Sequence, residues 1–154
     1  MIVMRESQAH DPDHSSMDTQ RGGVLDASVA VKWFSTAEAS PDAMSVLARI
    51  SASQDLRFVV PEIFFAELLS ALKRSREDPR EVHLALEAVS RLPLRPMRWA
   101  ECPRNAVINL ALGHVGAYDA LYAALAMQLR VPLITADRRL YRALGEPDWV
   151  RMVA

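Results

Sequence analysis

Two hydrophobic periods alternate along the chain. Short runs of β-branched and aromatic residues, which suit strands, are separated by longer stretches where apolar residues recur every three or four positions, which suit helices. The first run, VLDASVAVKWF at 24–34, predicts a strand from Val24 to Asp26 and beyond. Ser40 and Pro41 then supply a cap and a first-turn proline for a helix continuing through MSVLARIS. LRFVV at 56–60 reads as a second strand. Pro61 reads as the start of a helix over EIFFAELLSALKRS, whose basic end suits the negative pole of the helix dipole. Pro79 opens the next helix, EVHLALEAVSRL, followed by a short strand around LRPM and a helix in CPRNAVINLALGHVG that closes at a glycine-containing break. The remaining pattern gives a helix over 118–130, a strand over 131–135, a helix over 138–144 and a last strand in DWVRMV.

Strands that alternate with helices predict a single α/β domain, at 23–154, with a mostly parallel central sheet flanked by helices on both faces. Binding and catalytic groups in such sheets gather at the carboxyl ends of the strands. Residues 1–22 are rich in His, Asp, Ser and Gln without an apolar period, and read as a disordered N-terminal tail. A metal site at His10 and His14 is disfavoured, because a proline-containing tail has nothing to fix ligand geometry. Met17 offers an alternative start that would leave residues 1–16 outside the protein.

Composition narrows the class. With 154 residues, 51% hydrophobic and 24% charged, there is enough apolar material for one core and no room for a second domain. No uncharged run approaches the ~18 residues of a membrane span, and the N-terminus lacks the apolar segment of a signal peptide, so a soluble cytoplasmic protein is expected. The single cysteine, Cys102, excludes an internal disulfide and reads as a small core residue. A net charge of −1 neither marks nor excludes a nucleic-acid binder, since acids gathered around a cation would mask the basicity of the remaining surface.

The chemistry concentrates in GAYDALYAALAMQLRVPLITADRRL at 116–140. Its helix is apolar nearly all round and therefore buried, yet Asp119 lies in the first turn. From Asp119 to Arg130 the helix travels about 17 Å, and the strand VPLITA returns about 20 Å. Asp137 therefore lands near the level of Asp119, at the carboxyl end of that strand. Asp26, after an apolar strand, belongs to the same rim. Glu67 is flanked at helical spacing by Ile63, Phe64, Ser70 and Ala71, with no basic residue at i±3 or i±4.

Each acid also has a purely structural explanation: Asp119 at the positive end of its helix, Asp137 as a helix cap, Asp26 as a turn residue. Together, four acids without His or Cys form an all-oxygen site that needs a cation and selects Mg²⁺ or Mn²⁺ over zinc. Such sites suit water activation and in-line displacement at phosphorus. Ser28 and Thr135, each two residues from an acid, are candidates to orient a carboxylate or bound water. Arg138 and Arg139, beside Asp137, lead a set of possible phosphate contacts that includes Lys32, Lys73, Arg74 and Arg76. An aspartyl-phosphate phosphotransferase built on Asp26 is disfavoured, because its signature requires a second aspartate where Ser28 stands.

VLDASVAVKWF, VPEIFFAELLSALKR and YDALYAALAMQLRVPLITADRRL resemble, in order and spacing, the three acidic blocks of the PIN domain, most closely those of the VapC toxins of type II toxin–antitoxin pairs. The similarity covers about residues 23–150, and its most specific part is the aspartate opening an Ala-rich helix with a second in the T-A-D after a strand. The resemblance implies that Asp26, Glu67, Asp119 and Asp137 bind Mg²⁺ or Mn²⁺ in an endoribonuclease whose products carry 5′-phosphate and 3′-hydroxyl ends. It also implies a homodimer and a small VapB-like antitoxin, with the helix pair over 62–90 as a contact surface. Two positions depart from the family pattern. Ser70 stands where relatives often have Asn, and Gly116 where they often have Ser before the Tyr-Asp pair. A PIN-like module that binds RNA or a partner without cutting is the alternative, and metal-dependent cleavage separates the two.

Overall fold

The computed structural model describes residues 22–37, 40–55, 57–76 and 78–154. Most of the expected N-terminal tail, with His10, His14 and Met17, lies outside the described residues, as does Leu56 of the expected second strand. Gly22, by contrast, is already buried in the fold.

Five strands form one sheet in the order β3-β2-β1-β4-β5: β1 (Gly23–Leu25), β2 (Phe58–Pro61), β3 (Leu94–Met97), β4 (Leu133–Thr135) and β5 (Val150–Met152). Every pairing is parallel, where the sequence predicted a mostly parallel sheet. β1 sits at the centre, with Val24 opposite both Val59 and Leu133. Successive residues of a strand point to opposite faces. Val24 and Leu25 are both fully buried, as are Leu133 and Ile134 within about a percent, so both faces are covered. That is the burial pattern an all-parallel sheet imposes.

The helices among the described residues are α1 (Ala27–Lys32), α2 (Pro41–Ser51), α3 (Ile63–Ser75), α4 (Pro79–Ser90), α5 (Arg104–Ala111), α6 (Ala117–Leu129) and α7 (Arg138–Ala143), with a 3₁₀ turn at Trp99–Glu101. The starts of α2 and α4 follow the sequence signals. Ser40 Oγ accepts the Ala43 amide at 3.0 Å, Asp78 accepts the Arg80 amide at 2.9 Å, and a proline opens each helix. α6 is buried through Ala120 and Tyr122–Ala126 and packs across β1, β2 and β4, with α5 outside it. Among the described residues, no helix is long and apolar enough to cross a membrane.

Two elements differ from expectation. The first strand does not continue beyond Asp26, because the chain turns into α1 at Ala27 despite its valines. Val29 and Ala30 are completely buried there, with α1 packed against α3 and β4, so tertiary burial overrides β-propensity. Pro61 is the last residue of β2 rather than the first of α3. It sits in register with Met97, while the following amide, that of Glu62, donates to Met97 O at 3.1 Å.

The entry into β1 is sterically closed. A Cβ on Gly22 would stand 1.9 Å from the Arg57 carbonyl oxygen, and one on Gly23 would stand 2.9 Å from Pro132 O. Both obstacles are backbone and cannot rotate aside. Gly22→Ala is expected to cost about 2–3 kcal/mol, in the range of overpacked core sites. Urea denaturation measures this, and a midpoint unchanged from wild type would show that the strand entry is slack.

Candidate active site

Asp26 follows β1 directly and is only 6% exposed. Its Oδ2 accepts two hydroxyls, Ser28 Oγ and Thr135 Oγ1, each at 2.6 Å. Those hydroxyls are themselves fixed by backbone amides: Ala136 N–H donates to Ser28 Oγ at 2.9 Å and Asp137 N–H to Thr135 Oγ1 at 3.0 Å. The Asp26 amide donates to Ile134 O at 2.9 Å, which ties the end of β1 to the end of β4. Burial raises the Asp26 pKa, the two hydroxyls oppose the rise, and the charge of Asp137 adds to it.

Asp119 occupies the first turn of α6 without capping it. Its pKa is pushed up to about 6, first by burial and then by the charges of Asp26 and Asp137, with Arg139 opposing. Gly116 precedes this turn, and a Cβ there would stand 3.2 Å from Asp119 Oδ2. The departure from the family's serine therefore leaves room for the carboxylate. Asp137, at the end of β4, caps α7: its Oδ1 accepts the Arg139 amide at 2.7 Å and the Leu140 amide at 3.3 Å. The structural explanation of Asp137 is thus present in the fold, and it does not exclude a second role, because Oδ2 is not used by the cap. The structural explanation of Asp119, a carboxylate in the first turn at the positive end of its helix, is likewise met, and like the cap of Asp137 it does not exclude a second role.

Glu67 projects from the middle of α3 between the fully buried Phe64 and Leu68. Burial raises its pKa, and so do the charges of Asp26 and Asp119, while a hydrogen bond from Tyr122 opposes the rise. Tyr122 was missed in the sequence. It lies one helical turn beyond Asp119, is completely buried, and donates its hydroxyl to Glu67 Oε2. Burial and the neighbouring carboxylate drive its pKa far above the ordinary range, so the phenol stays protonated. The available signal was a lone hydroxyl-bearing aromatic inside an otherwise Ala- and Leu-rich buried helix, which must find a polar partner.

The four acids line one cleft of about 590 Å³ at the carboxyl edge of the sheet, with Lys32, Arg74, Arg138 and Arg139 on its walls. Lys73 lies outside this lining, and Arg76 is committed elsewhere, pairing with Glu81 at 2.7 Å and donating to Phe34 O. Ser70 is exposed. Among the described residues, no three His, Cys, Asp or Glu side chains form a closed ion-ligand cluster. The acids instead form an open set, coupled through their charges, in which Asp26, Glu67 and Asp137 each spend one oxygen on a neighbour. Burial first, and the neighbouring carboxylates after it, raise the pKa of Asp26, Glu67 and Asp119, and all-oxygen donors of this kind suit a hard divalent cation.

Because the Asp119 carboxyl holds its proton more tightly in the fold than in the unfolded chain, its ionisation opposes folding. This penalty is absent below about pH 4 and complete above about pH 6. In metal-free buffer Asp119→Asn is therefore expected to be more stable than wild type near neutral pH, by about 1 kcal/mol after allowance for solvent screening of a half-exposed group. The gap should close by about pH 4. Urea melts in EDTA at both pH values read it, and a variant less stable than wild type at neutral pH would show that repulsion does not dominate.

A PIN domain family model matches residues 23–145. Two proteins named Ribonuclease VapC1, from Mycobacterium tuberculosis strains CDC 1551 / Oshkosh and ATCC 25618 / H37Rv, are each 35% identical over 133 residues, which is 84% of this chain and 96% of theirs. A solved structure described as a toxin-antitoxin complex from Klebsiella pneumoniae matches with a TM-score of 0.62 over 85% of this chain and 97% of that one; at 14% identity the likeness is one of fold. With the parallel sheet, the acids at its carboxyl edge and a match across most of the chain, the protein belongs to the PIN domain family.

Proposed function

We propose that the chain is a Mg²⁺- or Mn²⁺-dependent endoribonuclease, the toxin of a VapBC-type toxin–antitoxin pair. The observation that carries this reading is the gathering of Asp26, Glu67, Asp119 and Asp137 in one cleft with arginines on its walls. The identity to proteins named Ribonuclease VapC1 supports RNA as the substrate. The four carboxylates would hold the cation. When bound, a hard divalent cation supplies Lewis acidity, making water nucleophilic and offsetting charge on the phosphate.

The side chains of this protein perform the remaining tasks. Ser28 and Thr135 fix the orientation of Asp26 by both donating to its Oδ2. Arg138 and Arg139, exposed beside the Asp137 cap, hold the RNA backbone by contacts that position phosphate without reading bases. With water as nucleophile and the ribose 3′-oxygen as leaving group, the P–O3′ bond breaks and the products carry 5′-phosphate and 3′-hydroxyl ends. A cytoplasmic site of action follows from this substrate. The helix pair over 62–90 is the contact surface for a second copy or for a small VapB-like antitoxin, and it carries exposed apolar side chains on both helices, Leu69 at 43% and Leu84 at 63%.

Asn keeps the shape and capping ability of Asp while removing its charge. Asp119→Asn and Asp137→Asn should therefore fold, with α7 still capped, and lose at least about a hundredfold in Mg²⁺-dependent cleavage of a mixed RNA pool. Full activity in both variants would return these residues to structure. The assembly is tested by light scattering on the purified protein at micromolar concentration. A dimer mass is expected, and a strict monomer that co-purifies with no small protein on native expression would remove the partner claim.

A further inference from the structure

Packing alone does not explain the hydroxyl of Tyr122. The ring is the largest completely buried side chain among the described residues, and phenylalanine would fill the same space. Its oxygen reaches across from α6 to Glu67 on α3. The phenol thus joins α6, which carries Asp119, to α3, which carries Glu67. Among the described residues it is the one hydrogen-bond donor to the Glu67 carboxylate. A glutamate in mid-helix otherwise has several rotamers open to it, and any ligand it binds must first freeze them.

We propose that Tyr122 is a positioning residue that holds the Glu67 carboxylate, through Oε2, in the orientation in which its other oxygen meets a divalent cation. This rests on the metal-dependent ribonuclease reading. The phenol is sealed beneath the cleft and touches neither RNA nor ion. Its effect therefore passes entirely through Glu67, as the supporting partners of metal-binding carboxylates act through the groups they orient.

The test uses the full chain with Mn²⁺ as probe, the free ion being followed by electron paramagnetic resonance. Tyr122→Phe is expected to weaken Mn²⁺ binding about tenfold and to lower kcat about tenfold at saturating Mn²⁺, while KM for RNA stays within about twofold. In a Glu67→Gln background the same substitution should add nothing further, which a general loosening of the core would not reproduce. Should Tyr122→Phe fail to fold, Tyr122→Met, apolar and adaptable, carries the same expectations. Wild-type Mn²⁺ affinity and turnover in the variant, or an equal loss in the Glu67→Gln background, overturns the proposal. If Glu67→Gln weakens Mn²⁺ binding and Tyr122→Phe does not, this inference alone falls. If wild type binds no Mn²⁺, the ribonuclease reading falls with it.

Discussion

A carboxylate at the end of the central strand, almost sealed from water, sets the terms for the rest of the site. Asp26 is buried where an uncompensated charge would cost several kcal/mol. Two hydroxyls converge on one of its oxygens, and each hydroxyl is anchored by an amide at the end of β4. The network welds the ends of β1 and β4 together, and it obliges the 135–137 segment to adopt the conformation that presents Asp137. Folding of the sheet edge and placement of the acids are therefore a single event. The hydroxyls lessen the burial penalty without removing it, because Asp26 still keeps a raised pKa and raises those of Asp119 and Glu67.

The remaining acids are delivered by elements whose geometry leaves little freedom. α6 runs out from the rim and β4 returns to it, so Asp119 and Asp137 share a level although a buried helix and a strand separate them in sequence. Arg130 ends α6 in the left-handed region at φ 55°, which makes the reversal into β4 short. α3 lies over β2 and α1, bringing Glu67 in from the side. Each acid thus stands on a different element, and its position depends on the packing of the whole core rather than on a local loop.

Much of this was legible in the residues. Alternating periods specify the α/β class, the proline and serine signals specify the starts of α2 and α4, and the out-and-back distance of 119–137 pairs two acids. What was not legible depended on tertiary contact. SVAVKW carries strand-forming valines, yet becomes α1 because α3 and β4 bury it. Pro61 carries a helix-start signal, yet is held in the sheet by its register with β3. Tyr122 was hidden by its own helix, since a period of 3.6 shows which residues are inside and not which polar group meets which across the core. The glycines at 22 and 23 are explained only by the backbone carbonyls that crowd them.

The pairing of β1 with β4 has a temporal side. Asp26 and the hydroxyl of Thr135 that holds it are 109 residues apart, and the adjacent strands that carry them, β1 and β4, come from early and late in the described sequence. On a ribosome, the first acid emerges long before the segment that completes its surroundings. Until β4 is made, the middle of the sheet has an open edge and Asp26 lacks Thr135 and the neighbouring amides. The site therefore comes into being abruptly, when the last seventh of the chain, from Leu133 onward, is available, and no nascent fragment ending before β4 carries the assembled acid cluster.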